Sequence, residues 1–426
     1  MGYKMNTSVE QLESKKTSFL GLESLAKRLV LAQLKKLHTG RITLIDGDET
    51  HVFGSTDPGF LQGEITILDQ NTYSKILTGG SIGAGEAFMT EDWVTPDLTN
   101  LIRVMVRNMD ILDAMEGGLT SIITKPFLKW FHYLNQNSAK GSRRNIAAHY
   151  DLGNDLFENF LDPTMMYSSG IFPSDGATME EASNYKLKVI CDSLKLSEHD
   201  RVVEIGTGWG GFALYAAKHY GCHVTTTTIS EEQYAWAQQA VKREGLEGRI
   251  TLLKQDYRSL TDAYEGQFDK LVSIEMIEAV GAKYFDVYFE TVSKLLKPEG
   301  LALIQAITIE DQRYDSALNN VDFIQRYIFP GSCIPSIQAL LSSTKKCTDM
   351  NLVHLNDFGQ DYARTLKAWA DQFNQNSRVI SDLGYSDDFK RMWQFYLSYC
   401  EGGFIERAIG VSHLLLAKPQ YIHDQL

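Results

Sequence analysis

Arg201-Val-Val-Glu-Ile-Gly-Thr-Gly-Trp-Gly-Gly-Phe-Ala213 is the stretch whose reading decides the fold. Val202, Val203 and Ile205 form a short apolar run of the kind that makes a buried strand. Gly206, Gly208 and Gly210 follow at alternate positions, and glycine lets a backbone take positive φ and approach a ligand closely. From Phe212 to Lys218 the pattern turns helical. Strand, glycine turn and helix together predict a nucleotide-type site at the mouth of an α/β sheet. Two alternatives fail on residues. The second strand, His223 to Ile229, ends without the acid expected of dinucleotide binding, and no Gly-Lys-Ser/Thr follows the glycines to make a phosphate loop. An acid, Glu204, stands before the glycines instead.

Outward from this turn, apolar strands and amphipathic helices alternate. Strands are expected at 223–229, 250–254, 268–274 and 301–309, with a last one at 411–417. Helices are expected at 231–244 and 283–296, with Lys297-Pro-Glu-Gly300 as the turn that closes the latter. A helix from about Thr178 to Leu194 precedes the first strand, with Thr178 and Glu181 spaced as a capping box. An insertion occupies roughly 310–350, followed by aromatic-rich helices near 362–375 and 386–400. Such alternation predicts a doubly wound, mostly parallel sheet with its ligands beyond the carboxyl ends of the strands.

Before residue 136 the pattern differs. Leu22, Leu25, Ala26, Leu29, Val30, Leu34 and Leu37 recur at helical spacing, with Lys27, Arg28, Lys35 and Lys36 mostly off the stripe. A basic amphipathic helix can lie on an anionic bilayer, and the same stripe can equally pack on its own domain. Short alternating runs at 41–45, 49–53 and 63–68 predict strands, the first two joined by a turn at Asp46-Gly-Asp-Glu49. Residues 79–85 read as a glycine loop and 97–115 as helical. Residues 1–135 thus form a small α+β domain, 136–146 a polar linker containing Arg143 and Arg144, and 147–426 the catalytic domain.

The 426-residue chain is 43% hydrophobic and carries a net charge of −13, which argues against nucleic acid as a partner. Its 5 cysteines are too scattered for a disulfide framework or a metal site. No secretory leader and no apolar run of transmembrane length stands in the sequence, so a cytoplasmic protein, at most on a membrane surface, is expected.

The glycine turn resembles that of S-adenosylmethionine-dependent methyltransferases of Rossmann-like fold. Further segments narrow the resemblance: Ala148-His-Tyr-Asp-Leu-Gly-Asn-Asp-Leu-Phe157, Leu161-Asp-Pro-Thr-Met-Met-Tyr-Ser168, Gln255-Asp-Tyr-Arg258, Glu275-Met-Ile-Glu-Ala-Val-Gly281 and Arg326-Tyr-Ile-Phe-Pro330. Over roughly 147–418 the chain is similar to the cyclopropane fatty acid synthase family, and its extra amino-terminal domain is similar to that of the phospholipid-acting members. The resemblance implies a seven-stranded methyltransferase sheet and methyl transfer from S-adenosylmethionine to a cis double bond of a phospholipid acyl chain. It also implies peripheral contact with the inner face of the cell membrane, and leaves a homodimer open. An alkene is a poor nucleophile, so the methyl must be held in line and water kept out. The resulting carbocation favours aromatic walls, for which Tyr288, Tyr314 and Phe329 are among the candidates.

Carried over by residue, the resemblance implies cofactor contacts at Tyr167, Ser168, the turn Gly206-Thr207-Gly208-Trp209-Gly210, Thr228, Gln233 and Tyr257, with Glu204 orienting the turn and the cofactor's amino group. It implies a bound bicarbonate as proton acceptor, held by Glu278 and Tyr327. Glu275, nearer the strand end, is the alternative carboxylate. Ser169 stands where many relatives have cysteine. Ala279 and Gln305 stand where the bacterial pattern has histidine, and a glutamine donates hydrogen bonds without titrating. Cys400 matches a cysteine sometimes assigned an active role and reads here as pocket lining. Other product readings are a methyl or methylene branch, N-methylation of a small amine, and a lipid-binding protein with a relict methyltransferase domain.

Overall fold

The computed structural model describes residues 25–111, apart from 56 and 58, and 152–422. The linker expected at 136–146, Leu22, the tail of the helix read to residue 115 and the start of the 148–157 segment lie outside the described residues. The chain divides into two compact units. One comprises Met1–Leu128 with Ser386–Gly402, the other Lys129–Tyr385 with Gly403–Leu426. The sequence division assigns 386–402 to the catalytic domain; by its packing this segment groups with the amino-terminal unit.

In that smaller unit a sheet runs in the order β2-β1-β3-β4, from β1 (Arg41–Asp46), β2 (Glu49–Gly54), β3 (Gln62–Ile67) and β4 (Trp93–Val94). Strand β1 alternates, burying Ile42 and Leu44. It pairs antiparallel with β2 across the expected turn and parallel with β3. Residues 79–85 are not a loop. They belong to the helix Asn71–Met89, which kinks at Gly80, whose φ is 56°. Gly83 is there because a Cβ would come within 1.9 Å of the Lys75 carbonyl oxygen. The helix over 25–34 buries Ala26, Val30 and Leu34, yet leaves Leu25 48% and Leu29 43% exposed. Arg28, Lys35 and Lys36 are exposed, whereas Lys27 is held by Asp46 and Glu49, both at 2.7 Å. From the carboxyl-terminal segment, Phe395 packs 5.8 Å from Phe88, and Arg391 Nε donates to the Met89 carbonyl at 2.7 Å.

In the larger unit a seven-stranded sheet runs β10-β11-β9-β8-β5-β6-β7. Its strands are β5 (Arg201–Ile205), β6 (His223–Thr228), β7 (Ile250–Lys254), β8 (Phe268–Ile274), β9 (Leu296–Ile309), β10 (Asn351–Asp357) and β11 (Ile409–Ala417). All pairs from β9 to β7 are parallel; β11 runs antiparallel to both β9 and β10. Helices pack on the sheet, Met179–Ser193 and Gly211–Tyr220 among them. The first is closed by the expected capping box, Thr178 and Glu181 each accepting from the other's backbone N–H. Ser230 caps Glu231–Arg243 by accepting from Gln233 N at 3.2 Å.

Two local readings change. Residues 297–300 are not a turn between helix and strand: β9 already starts at Leu296, and the register shifts where Lys297 to Gly300 intervene between the Phe268–Leu296 and Lys270–Leu301 pairs. Pro298 lacks the N–H that a regular ladder needs there. Strand β10, absent from the sequence reading, is an edge strand with all seven residues exposed, so no buried alternation announces it. The insertion contains the helices Asp311–Asn319, Phe323–Tyr327 and Ile337–Cys347.

Candidate active site

The turn after β5 takes the conformation its glycines permit. Gly206, Gly208 and Gly210 have φ of 101°, 52° and 96°. The N–H groups of Gly206 and Thr207 donate to the Thr227 carbonyl, tying the turn to the end of β6. A Cβ at Gly206 would lie 3.3 Å from Met276 Cγ and one at Gly210 3.3 Å from Ala237 Cβ, but at Gly208 it would meet no protein atom within 4 Å. Gly208 therefore presents bare backbone to open space, the kind of cradle a ligand fills. Beneath the turn, Glu204 Oε2 accepts from Thr226 Oγ1 at 2.6 Å, and Thr226 Oγ1 in turn lies 2.7 Å from Thr207 Oγ1. Burial pushes the Glu204 carboxyl up to about 8, so it is largely protonated at neutral pH.

At the end of β6, Thr228 Oγ1 donates to Gln233 Oε1 at 2.9 Å and accepts from Ser230 N at 3.1 Å. Neutral groups thus stand where dinucleotide-binding folds place an acid. Beyond β7, Tyr257 sets its ring edge-on to Tyr288 at 5.7 Å, with the Arg258 guanidinium over the Tyr257 ring at 5.6 Å from its centroid. Within the glycine turn, Trp209 Nε1 donates to Asn154 Oδ1 at 2.8 Å and its ring packs 4.8 Å from Phe157. Phe157 also touches Tyr167 at 5.2 Å, and Tyr167 lies 5.2 Å from Trp369 and 6.3 Å from Phe329. An aromatic wall therefore begins at the glycine turn and runs through Tyr167. Of the aromatic residues named as candidates, Tyr288 is fully buried in the core. Ser168, expected at the cofactor, accepts from the fully buried Lys186 at 2.6 Å. Burial brings that ammonium down to about 8, with Glu275 and Asp162 opposing the shift.

The structure brings the residues at 169, 275 and 305 together, and adds one that the sequence reading passed over. Glu275 follows the last residue of β8 with a left-handed φ of 48°, and its N–H donates to the Gln305 carbonyl at 2.8 Å. Its Oε1 accepts from Ser169 N at 2.9 Å and Gln305 Nε2 at 2.7 Å; its Oε2 accepts from the Tyr362 hydroxyl at 2.7 Å. Gln305 is oriented by His413, its cross-strand neighbour on β11, whose Nε2 lies 2.9 Å from Gln305 Oε1. Burial lowers His413 to about 3, so the ring is neutral, its Nε2–H donates to the amide oxygen, and the amide nitrogen points at Glu275. Tyr362 stands on the helix Gly359–Gln375 and stacks on Phe404 at 4.4 Å. In sequence it reads as one more core aromatic of an amphipathic helix. Burial raises the Glu275 carboxyl, and the Tyr362 hydrogen bond works against the rise.

Glu278 sits one helical turn later. Its Oε1 accepts from Ile307 N at 2.5 Å, while the buried Oε2 has no hydrogen-bond partner among the described residues. Burial first and the neighbouring Glu275 charge second push it up to about 8. Its carbonyl accepts from Cys333 N at 2.8 Å, which ties the insertion to the site. Tyr327 ends the short helix Phe323–Tyr327, its ring 5.0 Å from Phe323. The Tyr362 hydroxyl also reaches a site carboxylate, Glu275. Cys400, on the helix Asp387–Ile405, falls in the segment that groups with the smaller unit.

A family model described as mycolic acid cyclopropane synthetase matches residues 137–414. The chain belongs to this family. A cyclopropane-fatty-acyl-phospholipid synthase of Escherichia coli is 37% identical over 365 residues, 84% of this chain and 89% of its own length. A tuberculostearic acid methyltransferase of Mycobacterium tuberculosis is also 37% identical, over 76% of each chain. Among solved structures, the cyclopropane synthase MmaA2 of Mycobacterium tuberculosis superposes with a TM-score of 0.59 at 27% identity, covering 65% of this chain and 98% of that one. The mycolic acid cyclopropane synthase CmaA1, complexed with SAH and CTAB, gives a TM-score of 0.60 at 26% identity, with coverage of 65% and 98%. This family membership accounts for the seven-stranded sheet and the glycine turn together.

Proposed function

We propose that this chain is a cyclopropane-fatty-acyl-phospholipid synthase, transferring a one-carbon unit from S-adenosylmethionine to a cis double bond in membrane phospholipid. The observation that carries the reading is the 37% identity along 89% of the Escherichia coli synthase. That 365-residue match is longer than the larger unit, so it takes in residues of both. S-adenosylmethionine supplies a methyl made electrophilic by its sulfonium. The turn Gly206 to Gly210 offers it bare backbone, Thr228 and Gln233 offer neutral hydrogen-bonding groups, Tyr257 an aromatic face, and Glu204 a carboxyl held behind the turn.

The alkene π pair forms the new C–C bond, the C–S pair stays on sulfur, and the other alkene carbon becomes cationic. Loss of a proton from the added methyl leaves its C–H pair to close the ring onto that carbon. The aromatic wall of Phe157, Tyr167 and Trp369 keeps water away and offers π faces to positive charge. The proton leaves toward the carboxyl pair Glu275 and Glu278. Membrane contact belongs to the same reading: Leu25 and Leu29 are exposed on the helix over 25–34 together with Arg28, and exposed Lys35 and Lys36 follow in the turn after it, a surface suited to an anionic interface. No helix among the described residues is long and apolar enough to cross a membrane. Cys400 has no step assigned to it in this scheme.

The test is incubation with vesicles of a cis-unsaturated phospholipid and methyl-labelled S-adenosylmethionine, followed by saponification. Label in the free fatty acid supports the reading; label in the head group or in an added amine refutes it. A methyl-branched product is the second reading, favoured by the tuberculostearic acid relative at equal identity.

A further inference from the structure

The bicarbonate expected at the site does not fit it as built. The donors that would hold a small anion are the Ser169 N–H, the Gln305 amide and the Tyr362 hydroxyl, and each of the three already donates to an oxygen of Glu275. They come from three separated parts of the chain and converge on one carboxylate, which is the geometry of an anion site with its anion covalently attached. Gln305 is fixed for this duty by His413. The backbone is strained to the same end: Glu275 is among five non-glycine residues with positive φ among the described ones. Such conformations persist where the surroundings over-determine them, and they cluster at functional sites. The buried Oε2 of Glu278 has no hydrogen-bond partner among the described residues.

We propose that the Glu275 carboxylate is a built-in anion that accepts the proton released at ring closure, in place of a bound bicarbonate. The inference rests on the cyclopropane-forming reading. The balance is simple: the C–H pair of the added methyl becomes the ring C–C bond, and the proton passes to a Glu275 oxygen and from there to solvent. Glu278 is a positioning residue, since its neutral carboxyl holds the β9 backbone and leaves one negative charge in the cage.

The test uses the full chain and two variants. Glu275→Gly removes the carboxylate and suits the left-handed backbone, so the fold is retained; Glu275→Gln fills the cage with an amide. Carbon-13 bicarbonate titrated into each protein without lipid is followed by line broadening in NMR. Broadening with Glu275→Gly and not with wild type is expected; saturable binding to wild type overturns the proposal without reference to any substrate. On lipid vesicles in carbon-dioxide-free buffer, wild-type turnover should be unaffected by added bicarbonate. Both variants should fall by about 10²–10⁴-fold, the usual worth of general-base assistance, and formate or bicarbonate should restore Glu275→Gly alone. Bicarbonate-dependent wild-type turnover, or a fully active Glu275→Gly protein without added anion, refutes it. A wild type inactive on every lipid would count against the cyclopropane reading and leave the binding result to decide the anion site.

Discussion

Replacing Gly208 by alanine separates what the glycine turn does for the fold from what it does for the cofactor. The protein does not resist the new methyl, because a Cβ at Gly208 meets no atom within 4 Å. The only folding cost is the left-handed backbone, φ 52°, worth about 1–2 kcal/mol for a residue with a Cβ. That is a fall of a few degrees in Tm for a unit of this size. If the open space is where S-adenosylmethionine meets the backbone, the same methyl overpacks the complex by about 1–3 kcal/mol, or about 5–150-fold in affinity. Gly245 provides the control. Its φ is 67° and a Cβ there is also unopposed, but it lies after the helix Glu231–Arg243, at the far end of that helix from Ser230 and Gln233. Thermal unfolding and calorimetric titration with S-adenosylhomocysteine should show Gly208→Ala and Gly245→Ala losing similar stability, with only the first losing affinity. A Gly208→Ala protein that binds as tightly as wild type would refute the cofactor placement. Gly208→Val should bind still less, since a β-branched side chain tolerates this backbone worse.

Three further outcomes are expected. Because the Glu204 carboxyl is raised to about 8, its contribution to stability is full below about pH 4.5 and is lost as pH rises through 8. Wild type should therefore lose up to about 5 kcal/mol relative to Glu204→Gln across that window, read from paired unfolding midpoints; parallel pH profiles would contradict the assignment. Glu278, also raised to about 8, is neutral at pH 7, so Glu278→Gln should retain most activity there. Above pH 8 the wild type should decline as a second charge enters the cage while the variant does not, in an initial-rate profile; a large loss at pH 7 would show that Glu278 acts as the base. Leu29→Glu, on an exposed apolar position, should reduce sedimentation with anionic vesicles and turnover on them while leaving S-adenosylhomocysteine affinity unchanged, and salt should weaken the wild-type association. Unchanged sedimentation by the folded variant would remove that helix from the membrane face.

What could be read in advance was local. The strand–turn–helix at 201–220, the capping box at Thr178 and the alternation of β5 to β8 each depend on residues close in sequence, where periodicity and cap chemistry act. The edge strand β10 has no buried face and so no pattern. Glycines at 79–85 read as a loop because sequence shows their freedom and not the crowding at Lys75 that demands Gly83. The carboxylate cage was half legible. Ser169, Glu275, Glu278 and Gln305 stand in recognisable segments, but which carboxylate sits in the cage depends on a left-handed φ at Glu275 that no residue pattern announces. Tyr362 arrives from a helix 87 residues further on, and Tyr327 is the tyrosine that motif matching selects.

The most direct measurement is the fate of the transferred methyl. With trideuteromethyl S-adenosylmethionine and a cis-monounsaturated phospholipid, mass spectrometry and proton NMR of the product acyl chain report how many deuterons stay and on what carbon. A cyclopropane synthase predicts a chain that has lost its double bond and keeps two of the three deuterons on a ring methylene. A chain with all three deuterons, one with an olefinic methylene, or one whose label sits in the head group would contradict it.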